Sequence, residues 1–187
     1  MTPMRHQYLE LKQQAGSALL LYRMGDFYEL FFEDAQRAAP VLGIALTRRR
    51  HNDAVEAPMC GVPYHAFDGY LGKLLDAGFR VAVADQVEDP ATAKGLVRRE
   101  IVRTHTPGTV SSTDLLEGSE RCYLAAFGGD DELHALAWLE LSTGTFEGIR
   151  CDTRQALSEQ LARLRPREIL VAEGWDGWLE AWPAELA

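Results

Sequence analysis

The chain has 187 residues, is 47% hydrophobic and carries a formal net charge of −9, enough apolar material for one domain with a sizeable core, or for one domain and part of another. Met1 to Gln14 is polar and charged, and the nearest purely apolar run, Ala18 to Tyr22, is too short for a signal-sequence core or a membrane span. Cys60, Cys122 and Cys151 are far apart and form no C-x-x-C pair, so reduced thiols in a cytoplasmic compartment are expected rather than a disulfide framework.

Taken in chain order, the first element is a helix. Thr2 can cap it, Pro3 suits its first turn, Met4, Tyr8, Leu11 and Ala15 share one face, and Gly16 ends it. A strand follows over Ala18 to Arg23, and Met24-Gly-Asp26 turns the chain. A second helix is expected from about Phe27 to Leu42, with Asp26 as its cap and Glu29 completing a capping box. Ile44 to Thr47 is a short strand leading into a charged loop, Arg48 to Glu56. Pro58 to His65 reads as irregular structure pinned by two prolines. A helix over Phe67, Tyr70, Leu71, Leu74 and Leu75 closes at Gly78. Phe79 to Val87 is an apolar strand, Glu88-Asp-Pro90 breaks it, and Val97 to Thr104 returns as a strand bearing Arg98, Arg99 and Arg103. Helices interleaved with strands predict an α/β domain.

The turn-rich run Thr106 to Asp114 coincides with a change of charge. Residues 1–110 hold 13 Lys and Arg against 13 Asp and Glu, whereas residues 111–187 hold 6 against 15. The expected boundary is therefore near residue 115, giving domains 1–115 and 116–187. The second part opens with strands at Tyr123 to Phe127, Leu133 to Glu140 and Thr145 to Arg150, joined by hairpin loops at Gly128–Asp131 and Ser142–Gly144. A helix from Thr153 to Leu164, a strand Glu168 to Val171 and a Trp-rich helical tail complete it. With so little core assembled, this part reads as the truncated start of a second α/β domain.

The segment Tyr22 to Asp34 concentrates aromatic and acidic residues. On a helical wheel Tyr28, Phe31, Ala35, Ala39 and Leu42 share the apolar face, Phe27 falls at its edge and Glu29 lies off it. Periodicity does not separate a packed Phe27 from a projecting one. Three other functions compete. Asp26, Glu29, Glu33 and Asp34 could be imagined as a magnesium nuclease site, but their spacing fits a solvated helix face; Glu140 and Asp152 invite the same question. Cys60 and His65 are the one close pair of soft ligands, with no second pair to complete a metal site. The acidic second part with Trp138, Trp175, Trp178 and Trp182 would suit a protein-interaction module, or simply a core. No Walker-type phosphate loop is present.

The blocks Arg23-Met-Gly-Asp-Phe-Tyr-Glu29, Thr47-Arg-Arg49, Pro58-Met-Cys-Gly-Val-Pro-Tyr-His65, Asp85-Gln-Val-Glu-Asp-Pro90 and Thr106-Pro-Gly-Thr109, in this order, resemble the N-terminal mismatch-recognition domain of the MutS family. The resemblance covers about residues 2–115, and the remainder resembles the opening of that family's RNase H-like connector domain. Asp85 stands where the family usually has Glu, and the Arg48–Glu56 loop matches poorly. What the resemblance implies is a mixed-sheet DNA-binding domain without a catalytic centre. Phe27 would stack on a mispaired base from the minor groove and Glu29 would hydrogen-bond it, with Met24, Gly25 and Asp26 shaping the turn that presents them. Arg48, Arg49, Arg50, Lys94, Arg98, Arg99 and Arg103 are candidate phosphate contacts, and Tyr64, His65 and Lys73 weaker ones. The implied partners are double-stranded DNA with mispairs or small loops, MutL through the connector, and a second copy in a full-length bacterial parent. That parent's ATPase, with ATP and magnesium, would lie in a C-terminal region; no cofactor or metal is expected here.

Overall fold

The computed structural model describes residues 2–50, 56–89, 93, 95–110, 121–129 and 133–172, the side chains of residues 49, 50 and 56 excepted. Two compact units result, Met1–Thr106 and Pro107–Ala187. The boundary expected near residue 115 lies outside the described residues, as do Lys94, residues 51–55 of the charged loop and the Trp-rich tail with Trp175, Trp178 and Trp182.

In the first unit, helix α1 (Pro3–Ala15) starts as its sequence dictates: Thr2 Oγ1 accepts the Arg5 N–H and a proline occupies the first turn. Strands β1 (Leu19–Met24), β2 (Phe27–Phe31), β3 (Thr47–Arg50), β4 (Glu56–Pro63), β5 (Val81–Gln86) and β6 (Arg99–His105) form one sheet in the order β3-β4-β2-β1-β5-β6. β1 is parallel to β5 and the other neighbours are antiparallel. Leu19 to Tyr22 are all buried, as a strand covered on both faces requires. On one face Tyr8 and Leu11 of α1 pack with Leu20, Tyr22, Phe31, Ala82 and Ala84. Helices α2 (Phe32–Leu42) and α3 (Phe67–Asp76) lie against each other and against the sheet, over the alternate set Leu19, Leu21, Leu30, Val62, Val81 and Val83.

Three expected elements are corrected. The helix from Phe27 to Leu42 is a strand followed by a helix, joined at Phe32, whose φ is +54°. Tyr28 and Phe31 share a side of the helical wheel, yet in β2 they point to opposite faces. Tyr28 rests against Phe67 of α3, and Phe31 meets Tyr8 of α1 edge to face. Asp26 and Glu29 thus form no capping box, and Asp34 is no solvated helix residue. It is 3% exposed, pairs with Lys12 at 2.9 Å and accepts the Leu20 N–H at 2.9 Å. That N–H needs the carboxylate because β2 turns away into α2 beside it.

The irregular stretch expected at Pro58 to His65 is instead mostly β4, which binds β2 on one side and β3 on the other. Its prolines sit where the ladder to β2 can spare a donor: Pro63 is the last residue of the strand, and Pro58 lies beyond Met59, the final partner of β2. Only Tyr64–Ala66, a single 3-10 turn, remains outside the sheet. Likewise the short strand comes later than expected, at Thr47–Arg50 rather than Ile44–Thr47, so Arg48 begins the strand and not the loop.

The second unit follows its expected course. Strands β7 (Tyr123–Gly129), β8 (His134–Glu140) and β9 (Thr145–Cys151) are consecutive antiparallel neighbours. Helix α4 (Arg154–Leu164) then crosses over to β10 (Glu168–Val171), which lies parallel beside β7. Thr153 caps α4 by accepting the Ala156 N–H at 3.1 Å. Leu157 and Leu161 bury against Ala125, Phe127, Leu136 and Cys151, with Trp138 packed on the same core. This is the mixed α/β sheet expected for an RNase H-like opening.

Candidate nucleic-acid interface

The turn between β1 and β2 sets the geometry. Met24 pairs with Phe27, leaving Gly25 and Asp26 as a two-residue loop. Gly25 has φ +59°, and Asp26 is not among the positive-φ residues, the pattern of a type II′ turn, whose twist matches that of the flanking strands. The chain reverses sharply and delivers Phe27 at the tip. Its ring is 47% exposed, although Phe31, on the same face of the same strand, is 3% exposed. α1 covers Phe31 and leaves Phe27 bare.

Glu29 lies between them on that face, roughly 6.6 Å along the strand from Phe27. Its neighbours in register are Tyr22 on β1 and Gly61 on β4. A Cβ at Gly61 would meet Glu29 Cγ at 3.5 Å and Tyr28 O at 3.4 Å, so glycine leaves the carboxylate a clear flank. Pro63, opposite Phe27, closes the other side. An exposed ring and a half-buried carboxylate therefore share one face toward one end of the sheet.

The opposite face of the hairpin is tied down. The Arg23 Nε–H donates to Gly25 O, and its guanidinium lies 3.5 Å from the Tyr64 ring centroid and 5.3 Å from that of Tyr28. Tyr64 N–H in turn donates to Asp26 O at 2.8 Å. Tyr28 hydroxyl donates to Asp85 Oδ2 at 2.9 Å; burial, then the Asp85 carboxylate, push its pKa up to about 12. Arg23 carried no signal in a helical reading, because it matters only once Tyr64 is recognised as the residue following a strand that pairs with β2.

The basic residues separate into groups. Following the register, the sheet end that carries Phe27 runs through Met24 and Gln86 to Arg99. Arg98, beside it, is 66% exposed and pairs with Glu100 at 2.8 Å. Arg99 is corrected as a phosphate contact. It is 6% exposed, lies over the Tyr22 ring, and donates to Arg23 O at 2.5 Å and Val97 O at 2.7 Å. Arg48, beside Pro58, and Arg103, beside Val83, are exposed but sit away from that end. Arg49 and Arg50 belong to β3, and their side chains lie outside the described residues. His65 and Lys73 are exposed on the 3-10 turn and α3.

The carboxylates do not converge. Asp26 is exposed on the turn, Glu33 is exposed on α2 and Asp34 is buried with Lys12. In the second unit Glu140 accepts from the Ser142 and Thr143 hydroxyls, fixing the β8–β9 turn, and Asp152 pairs with Arg150 at 3.0 Å. Cys60 and His65 are also apart in character: Cys60 is buried with its thiol toward Ala35 O, and burial raises its pKa to about 11. Among the described residues no cluster of metal-ligating side chains occurs, and no helix is long and apolar enough to cross a membrane.

Comparison with known proteins matches the same two segments. A family model described as MutS domain I matches residues 2–114, and one described as MutS domain II matches residues 122–179. Among curated relatives, the DNA mismatch repair protein MutS of Dinoroseobacter shibae is 55% identical over 180 residues, covering 94% of this chain and 20% of the relative. Those of Desulfosudis oleivorans and Syntrophobacter fumaroxidans are 51% and 49% identical, over 92% and 97% of this chain and 20% and 21% of the relatives. The chain spans about a fifth of the length of these relatives.

Proposed function

The chain belongs to the MutS family, and on that footing we propose that its first unit recognises mispaired DNA for mismatch repair by inserting Phe27 at the error. The observation that carries this reading is the bare Phe27 ring at a fixed hairpin tip with Glu29 beside it on the same face. A mispair is poorly stacked, so opening that step costs less than the few kcal/mol that intact duplex demands. Phe27 enters from the minor groove, stacks on the mispaired base and helps kink the duplex. What is read is deformability, which lets one site accept chemically different errors. Glu29 hydrogen-bonds the displaced base, and its repulsion from phosphates weakens binding to intact DNA. Arg98, the exposed cation at the Phe27 end of the sheet, positions the domain on the backbone without reading sequence.

The chain is the N-terminal part of a longer, dimeric protein in this reading. The ATPase, with its ATP and magnesium, lies elsewhere in that protein, and the second unit belongs to the connector through which MutL is contacted. Separated from the additional DNA contacts of the parent, the 187-residue chain binds weakly and with strong salt dependence. The test is fluorescence anisotropy of a G·T-mismatched duplex against its matched control at low salt, with the chain and with the longer parent. Tighter binding of the mispaired duplex is expected. Equal binding of both duplexes by the parent would overturn the proposal and leave a protein-interaction module as the better account.

A further inference from the structure

Two carbonyls form the tip of the β1–β2 turn, and each is held by a residue that touches the other holder. Arg23 Nε–H donates to Gly25 O, Tyr64 N–H donates to Asp26 O at 2.8 Å, and the Arg23 guanidinium stacks on the Tyr64 ring at 3.5 Å. The result is a closed clamp across the residues immediately before Phe27, built on the face of the sheet away from Phe27 and Glu29. A two-residue hairpin tip is otherwise the most easily twisted part of a ribbon. Arg99 adds a grip from the near face by donating to Arg23 O.

Resting on the mismatch reading above, we propose that Arg23 and Tyr64 are positioning residues that determine mispair discrimination by fixing the direction and stiffness of the Phe27 tip. A wedge prises a base step open only if the element behind it does not yield, and a tip already held in its working geometry loses less ordering free energy on binding. The chemistry of the clamp is specific. A guanidinium supplies both a planar face for the ring and an Nε–H for the carbonyl, whereas an ammonium keeps the charge and loses both.

The variants are therefore Arg23→Lys, Tyr64→Phe and Tyr64→Leu in the whole 187-residue chain, with Phe27→Ala as reference. Three quantities are read: the ratio of matched to G·T-mismatched dissociation constants, the slope of log affinity against log salt, and hydrogen exchange at the Tyr64 amide without DNA. Tyr64→Leu is expected to lower the ratio about fivefold, the worth of a cation–π contact, Arg23→Lys to lower it by a similar factor through loss of the Nε–H bond to Gly25 O, and both to speed exchange of the residue-64 amide accordingly. Tyr64→Phe is expected to keep both near wild type, and the salt slope is unchanged throughout. An unchanged ratio in Arg23→Lys and Tyr64→Leu overturns the proposal, whether or not the melting temperature falls. So does uniform weakening of both duplexes by Tyr64→Leu, the sign of a direct contact to the DNA backbone. If the longer parent itself shows no mispair preference while the Tyr64 amide of the chain responds as expected, the mismatch reading has failed and the clamp has not.

Discussion

Phe27 and Phe31 offer a matched pair of substitutions, because both lie on one face of β2 and differ in what covers them. Phe31 is 3% exposed and meets Tyr8 edge to face with centroids 5.0 Å apart; truncating such a ring costs about 3–5 kcal/mol. Phe27 keeps 47% of its surface in solvent. Full burial of a phenylalanine stabilises by about 1.5–3 kcal/mol, so Phe27→Ala should cost roughly half of that, near 1 kcal/mol. At about 4–8 °C per kcal/mol for a domain of this size, Phe27→Ala is expected to melt within about 8 °C of wild type and Phe31→Ala at least about 12 °C lower. On DNA the order reverses. Loss of base–aromatic stacking worth about 1–3 kcal/mol should weaken G·T binding by about 5- to 150-fold in Phe27→Ala and leave the matched duplex nearly unaffected. Circular dichroism melts and anisotropy titrations on the same preparations provide both numbers. If Phe27→Ala melts as low as Phe31→Ala, or leaves G·T affinity unchanged, Phe27 is a packing residue and the wedge argument fails.

Glu29→Ala should narrow the difference between mismatched and matched affinity, chiefly by raising matched-duplex binding as a negative charge is removed; an unchanged gap in anisotropy would deny it a reading role. Asp34→Ala leaves the Leu20 N–H without its carboxylate and Lys12 with Ala18 O as its remaining acceptor, and urea unfolding should register a loss of about 1–3 kcal/mol; a loss well under about 1 kcal/mol would mean that solvent replaces the carboxylate. For Cys60, burial holds the thiol protonated, with its pKa raised from 9.0 to about 11. Folding therefore disfavours its ionisation, so the stability it confers is present below pH 9 and is lost as pH rises toward about 11. The urea midpoint should fall between pH 8 and pH 10.5, and less so in Cys60→Ala; equal falls would exclude the thiol as the cause.

Much of this architecture is legible in residue order. Thr2, Pro3 and the 4-8-11-15 spacing locate α1, the run Glu168 to Val171 locates β10, and Gly25 marks the turn. The failures cluster at the candidate site, for a physical reason. Only Glu29 is polar in the segment from Phe27 to Phe31, whose Tyr28, Leu30 and Phe31 are buried against helices on opposite sides of the sheet, so it displays little of the alternation that marks a strand. Joined to a genuine helix at Phe32, it mimics one longer helix. The prolines of β4 hid a strand in the same way, since their tolerance depends on which neighbour each backbone position faces. Arg99 looked like a surface cation because its shortest acceptors, Arg23 O and Val97 O, are main-chain atoms with no side-chain signature, and its side-chain partners Tyr22 and Gln7 are far off in sequence. The resemblance pointed to Phe27 and Glu29, but not to the strand that carries them.

The pairing of β1 bears on the order in which the protein assembles. Its antiparallel partner β2 is two residues away, whereas its parallel partner begins with Val81 opposite Leu19. A hairpin with a two-residue turn closes in microseconds, but a contact spanning that much chain must wait for the loop entropy between to be overcome. As the chain leaves the ribosome, the ribbon carrying Phe27 can thus exist well before the strand that flanks it, leaving the apolar run Leu19 to Tyr22 open to any neighbouring nascent chain until Val81 to Gln86 has docked.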